Sequence, residues 1–189
     1  RAFNQKRRNR MVKYMRGIIF ALAALIGLAS VGWVTHDKLN DLRVKKEATP
    51  YQFTTVKDRE RQLYCMTKNI YWEAASEPAE GKLAVAQVVL NRAESGQFPA
   101  DPCQVIYQRN VIYSKVICQF SWFCEDTYKI RPVHKPLWEE SYRAAQMVLM
   151  EGFRLPALKG ALYYHADYVN PQWRKVRVAK IGRHIFYKD

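Results

Sequence analysis

The chain is 189 residues long with 49% apolar and 25% charged residues, a balance that excludes disordered and collagen-like proteins and leaves room for one core-bearing domain plus an appendage. Its net charge of +14 comes from 31 Lys+Arg against 17 Asp+Glu, yet half of that excess sits in residues 1–16, which hold seven bases and no acid. Residues 63–189 carry 17 bases against 12 acids, so the basic character belongs to a tail and not to a folded surface, and no nucleic-acid partner is expected.

Residues 17–35, GIIFALAALIGLASVGWVT, are uncharged. As a helix rising ~1.5 Å per residue they span roughly 28 Å, just enough for a bilayer core. The upstream bases Arg1, Lys6, Arg7, Arg8, Arg10, Lys13 and Arg16 face a downstream flank that mixes bases with Asp37, Asp41 and Glu47. Positive-inside reasoning then predicts a cytoplasmic tail (1–16), a single-pass anchor in the inner membrane (17–35) and an exported body. A cleavable signal peptide finds only a weak small-residue match at Ala29 and Val31, so the anchor is read as uncleaved. Four Ala and three Gly make it weakly apolar.

Residues 36–57 read as a polar tether and 58–189 as the folded domain. A first helix is predicted over 58–75, because Leu63, Met66, Ile70 and Ala74 form one stripe. Pro78 stops it and opens a second, with Glu77 as N-cap and Glu80 in the first turn. From Leu83 to Leu90 that helix is polar only at Gln87, which marks it as the central helix of the core. Asp101 and Pro102 open a short helix, and VIYSKVICQFSWFC (111–124) predicts short strands or an ordered loop. A further helix near Pro136 should bury Trp138, Tyr142, Ala145 and Leu149, and ALYYHA and VRVAKIGRHIFY read as strands. The class is α+β, mostly helical with short strands, after one N-terminal transmembrane helix.

Cys65, Cys103, Cys118 and Cys124 all fall on the predicted exported side, with 37, 14 and 5 intervening residues. That spacing fits no zinc pattern, and two disulfides are expected, in any of three pairings. No metal or other cofactor is expected. Among the acids, Glu73 lies at the edge of the first helix's apolar stripe beside Ile70, Tyr71 and Trp72. A carboxyl in such surroundings has a raised pKa and suits general acid catalysis. Glu77 and Glu80 are explained by helix-start electrostatics. Aromatic residues from Tyr107 to Trp173 are interleaved with Gln119, Ser121, Asn170 and Gln172, a mixture suited to stacking on sugar rings and bonding their hydroxyls.

The blocks CMTKNIYWEAASEPAEGKLAVAQVVLNR, FPADPCQVIYQ, CQFSWFC, YYHADYVNPQW and IGRHIFY occur in this order over residues 63–187. In order and spacing they resemble the cell-wall hydrolase family typified by the spore-cortex-lytic enzyme SleB. The resemblance implies a lysozyme-like fold and cleavage of peptidoglycan glycan strands between N-acetylmuramic acid and N-acetylglucosamine, as a lytic transglycosylase or a hydrolytic muramidase. It implies that Glu73 is the catalytic acid, with Glu77, Gln119, Phe120, Ser121, Trp122, Tyr164 and His165 as substrate-binding residues. The chain departs from the family at Ala75 and Ser76, where Arg-Gly is usual. A peptidoglycan-binding module without chemistry is the alternative from another class. The weakly apolar anchor is also similar in composition to that of phage lysis enzymes of the signal-anchor-release type, which leave the membrane when its potential collapses.

Overall fold

The computed structural model describes residues 50–189 and, upstream of them, only Met11, Met15 and Ile18. The predicted tail, nearly all of the predicted span and most of the tether lie outside the described residues. Among the described residues no helix is long and apolar enough to cross a membrane.

Helix α1 (Val56–Ala74) starts two residues earlier than its apolar stripe suggests. The Thr55 hydroxyl accepts from Asp58 N–H, while Asp58 accepts from Thr54 N–H and hydroxyl, a reciprocal cap that sets the helix start. The end of the predicted tether is docked: Tyr51 N–H donates to Leu149 O, and Tyr51 and Phe53 pack on the core. Leu63, Met66, Ile70 and Ala74 are all buried, as their spacing requires.

Helix α2 (Ala79–Glu94) has Pro78 as its N-cap residue and no side-chain cap. Glu77 is therefore not the cap that the sequence suggests; its carboxylate turns away from the helix start. Every residue from Gly81 to Leu90 is buried, because α2 has partners on both sides. One side joins Met66, Ile70, Val148 and Leu149, and the other packs Ala84 and Val88 against Leu158, Ile181 and Phe186. Each large apolar side chain so buried contributes ~1.5–3 kcal/mol relative to exposure.

Helix α3 (Pro102–Ile106) is capped by Asp101, which accepts from Gln104 N–H. It is fastened to α1 by the Cys65–Cys103 disulfide and by buried Gln62, which donates to Asp101 and accepts from Cys103 N–H. Strands β1 (Arg109–Ile112) and β2 (Lys115–Cys118) form a hairpin. Its two-residue turn holds Tyr113 and Ser114 at φ +47° and +63°, the left-handed geometry a tight hairpin demands and side-chain-bearing residues resist. The Cys118–Cys124 disulfide closes the segment beneath it, so both expected disulfides form and the pairing is fixed.

Helix α4 (Lys135–Leu149) buries Ser141, Ala144, Ala145, Val148 and Leu149. This corrects the predicted face: Tyr142 is exposed and Trp138 half-buried. Small residues at 141, 144 and 145 bring α4 close to its neighbours and rotate the large rings outward. Strands β3 (Tyr163–Ala166), β4 (Val176–Ile181) and β5 (His184–Lys188) form an antiparallel sheet in the order β3-β5-β4, with Tyr164 opposite Phe186.

Candidate active site

Three elements and a loop converge on Glu73. It sits in the last turn of α1, where the apolar stripe meets the sheet, and is half-buried. The Tyr164 hydroxyl, from β3, donates to Glu73 Oε2 at 2.8 Å. Buried Arg92, from the last turn of α2, donates through Nε to Leu162 O at 2.7 Å. Its guanidinium stacks over Phe98 and Phe120, 5.3 Å from each ring centroid. With the Gln119 amide oxygen facing that guanidinium, it accepts from Nη1 at 3.2 Å and Nη2 at 3.3 Å.

Burial raises the pKa of Glu73 above the ordinary carboxyl value, and the nearby Glu125 charge adds to the rise; the Tyr164 hydrogen bond and the Arg92 charge oppose it. Tyr164 is itself pushed well above the ordinary phenol value, first by burial and then by the Glu73 charge, so it remains a donor at physiological pH. Burial lowers the pKa of Arg92, against the pull of Tyr164 and Glu73, but a guanidinium keeps its charge under such conditions. The carboxyl thus holds its proton readily, and two partners stand ready for the anion left after the proton is given away.

The other predicted site residues fall in different places. Phe120 and Trp122 are core residues, 3% and 4% exposed; Trp122 Nε1 donates to Asn69 Oδ1 at 3.0 Å. They support the floor of the site and offer no open ring face to a sugar. Ser121 is exposed at the start of a single 3-10 turn, Ser121–Phe123. Tyr164 and His165 are consecutive on a strand and so point to opposite faces. While Tyr164 meets Glu73, His165 Nδ1 bonds Ala166 O at 2.8 Å and Nε2 bonds the Tyr187 hydroxyl at 2.9 Å. A carbonyl only accepts, so in the neutral ring Nδ1 carries the proton and Nε2 accepts from Tyr187.

Glu77 is buried, and its Oε2 accepts from Arg183 N–H at 3.0 Å in the β4–β5 turn. It clamps the sheet's hairpin to the α1–α2 junction. Arg92 is the functional residue that sequence reasoning missed; its only signal is a lone cation closing an apolar helix at the end of VVLNR. Among the described residues no group of three or more His, Cys, Asp or Glu is placed to hold a metal ion.

The profile of the Cell Wall Hydrolase family matches residues 76–187. The chain belongs to this family. The family match begins three residues after Glu73, whose role therefore rests on motif and geometry. Among the solved structures, the catalytic domain of the germination-specific lytic transglycosylase SleB from Bacillus anthracis aligns with a TM-score of 0.51 at 28% identity, covering 67% of this chain and 93% of that one. The catalytic domain of Bacillus cereus SleB aligns with a TM-score of 0.51 at 25% identity, covering 74% and 95%. Curated relatives include the spore cortex-lytic enzymes of Oceanobacillus iheyensis, 28% identical over 68% of this chain and 42% of the relative, and of Bacillus subtilis, 27% identical over 64% and 35%. The chain thus spans less than half the length of these curated relatives. The α+β fold, mostly helical with short strands, is that of the SleB catalytic domains.

Proposed function

We propose that the chain cleaves the bond between N-acetylmuramic acid and N-acetylglucosamine in peptidoglycan as a lytic transglycosylase, with Glu73 as the one carboxyl that acts twice. The observation that carries the proposal is the half-buried Glu73 carboxyl, raised in pKa, bonded to Tyr164 and close enough to feel Arg92. Protonated Glu73 donates to the bridging oxygen, the bond to C1 breaks, and positive charge develops at C1. The Glu73 carboxylate, stabilised by Tyr164 and Arg92, then takes the proton of the muramoyl C6 hydroxyl as its oxygen closes on C1. The products are a 1,6-anhydro end and a free sugar hydroxyl, and Glu73 is reprotonated for the next cycle. Membership of the family and likeness to a structure described as a lytic transglycosylase support this reading.

A hydrolytic muramidase is the second reading. Glu125 favours it, being a carboxylate close enough to influence Glu73 and thus a candidate to activate water across the bond. Mass spectrometry of muropeptides released by the full chain decides: anhydro ends are expected, reducing ends would assign hydrolysis, and no release would leave a binding module. The proposal includes an inner-membrane anchor over residues 17–35 with the catalytic domain in the periplasm, as the charge asymmetry of the sequence supports.

A further inference from the structure

A concave feature lies along α1, with neither Tyr164 nor Arg92 in its lining. Tyr64, Lys68 and Trp72 recur at i, i+4 and i+8, so they form one stripe on the helix. With Arg131 and Val133 from the segment leading into α4, and Lys135 and Trp138 from α4 itself, they line an open cleft of about 540 Å³, a volume typical of small-ligand sites. Among the described residues three cations and three aromatic rings line it and no carboxylate does; its acidic neighbour Glu125 stands 3.9 Å from Arg131.

The walls are held before any ligand arrives. The Tyr71 hydroxyl accepts from His134 N–H at 2.9 Å, fixing the segment that carries Arg131 and Val133 and leads into Lys135. The same ring packs edge-on against Trp72 at 5.0 Å and tilted against Trp138 at 5.7 Å, while Tyr64 meets Trp138 at 6.0 Å. Trp72 precedes Glu73 on α1, so the cleft and the carboxyl share one helix turn while their side chains diverge by about 100°. Arg131 pairs with Glu125 at 3.9 Å, the carboxylate whose charge raises the Glu73 pKa.

The sugar backbone of a glycan strand brings no charge to a basic cleft. The muramoyl residue, however, carries on its lactyl ether a peptide stem with free carboxylates, on the same ring whose C1 is attacked. We propose that the Tyr64–Lys68–Trp72–Arg131–Lys135–Trp138 cleft holds this acidic peptide stem, its cations pairing with stem carboxylates and its rings covering the peptide's aliphatic parts. The stem's expected position rests on the reading of the chain as a glycan-strand-cleaving enzyme; the charge complementarity does not.

The test is calorimetric titration of the full-length protein with the synthetic peptide N-acetyl-L-Ala-γ-D-Glu-(Nε-acetyl)-L-Lys-D-Ala, which carries two carboxylates and no charged amine, and with the same peptide after both carboxylates are amidated. Saturable binding of the acidic peptide is expected, weakened about tenfold by amidation, the scale of lost charge-assisted contacts, and weakened further by salt. Arg131→Ala and Lys135→Ala, both at exposed positions outside the core, should each weaken it several-fold with an unchanged circular dichroism spectrum. Equal binding of the two peptides, no binding of either, or well-folded variants that bind as the parent does would overturn the proposal. Cleavage of cell walls is measured in parallel. Strand cleavage without peptide binding removes this inference alone, whereas charge-dependent binding without cleavage upholds it and removes the enzymatic reading.

Discussion

At the scale of single residues, Glu73 links catalysis to a cost in stability. Because burial raises its pKa, the folded chain holds the Glu73 proton more tightly than the unfolded chain does. Stability is therefore lost as pH rises from the ordinary carboxyl range through the raised value. Glu73→Gln removes that loss along with the proton donor. Glycan cleavage should fall at least ~100-fold, the scale of a lost general acid. The melting temperature should rise, more at about pH 8 than at about pH 4. A folded Glu73→Gln protein that still clears cell walls would sink the catalytic assignment. Tyr164→Phe tests the partner. Its hydroxyl bonds the carboxylate and lowers the Glu73 pKa, so its loss raises that pKa and should carry the alkaline limb of the pH–kcat/KM profile to higher pH. The maximal rate should drop roughly tenfold, as for one hydrogen bond of about 1.5 kcal/mol. A limb that stays in place would mean that Tyr164 does not govern the acid.

At the scale of elements, Glu77 and Gly182 form one clamp. Gly182 has φ +56°, and a Cβ there would overlap the Glu77 carboxylate while only touching Pro78. Gly182→Ala and Glu77→Ala should each destabilise by about 1–3 kcal/mol, the first by strain and displacement and the second by leaving Arg183 N–H unpaired. The double variant should cost less than the sum in urea unfolding, since both break the same contact; full additivity would show two separate roles. The disulfides differ in the loop they close. Cys65–Cys103 spans 38 residues and Cys118–Cys124 spans 6, so paired Ala substitutions should cost about 4 and 2 kcal/mol on loop entropy. The same order in denaturant midpoints is the check. Elements whose code is local were legible in sequence: the α1 stripe, the Asp101 cap and the run Leu83–Leu90 of α2, polar only at Gln87. The face of α4 was not, because large rings at 138 and 142 look like core while the small residues Ser141, Ala144 and Ala145 set the packing distance. Glu77 read as a cap from its neighbours, but its partner lies 106 residues away.

At the scale of the whole molecule, the site is assembled from parts far apart in sequence. Tyr164 reaches Glu73 across 91 residues and Arg92 reaches Leu162 across 70. Family motifs located Glu73 and Tyr164; no period or composition announces that Arg92 and Gln119 would stand behind them, or that Phe120 and Trp122 would turn inward. The proposed anchor is a separate question of topology, because the charge asymmetry that argues for it lies outside the described residues. Seven bases ahead of an uncharged 19-residue stretch favour insertion with the N-terminus inside. An exported phosphatase fused after Asp189 should therefore be active, and the same reporter fused after Arg16 inactive. The reverse pattern would overturn the topology. The Ala/Gly-rich span gains little from the bilayer, so collapse of the membrane potential should move full-length protein into the soluble periplasmic fraction. Gly27→Leu with Gly32→Leu adds apolar surface to the span and should block that release. Parent protein that stays with the membrane after depolarisation would leave an ordinary anchor and remove the release device.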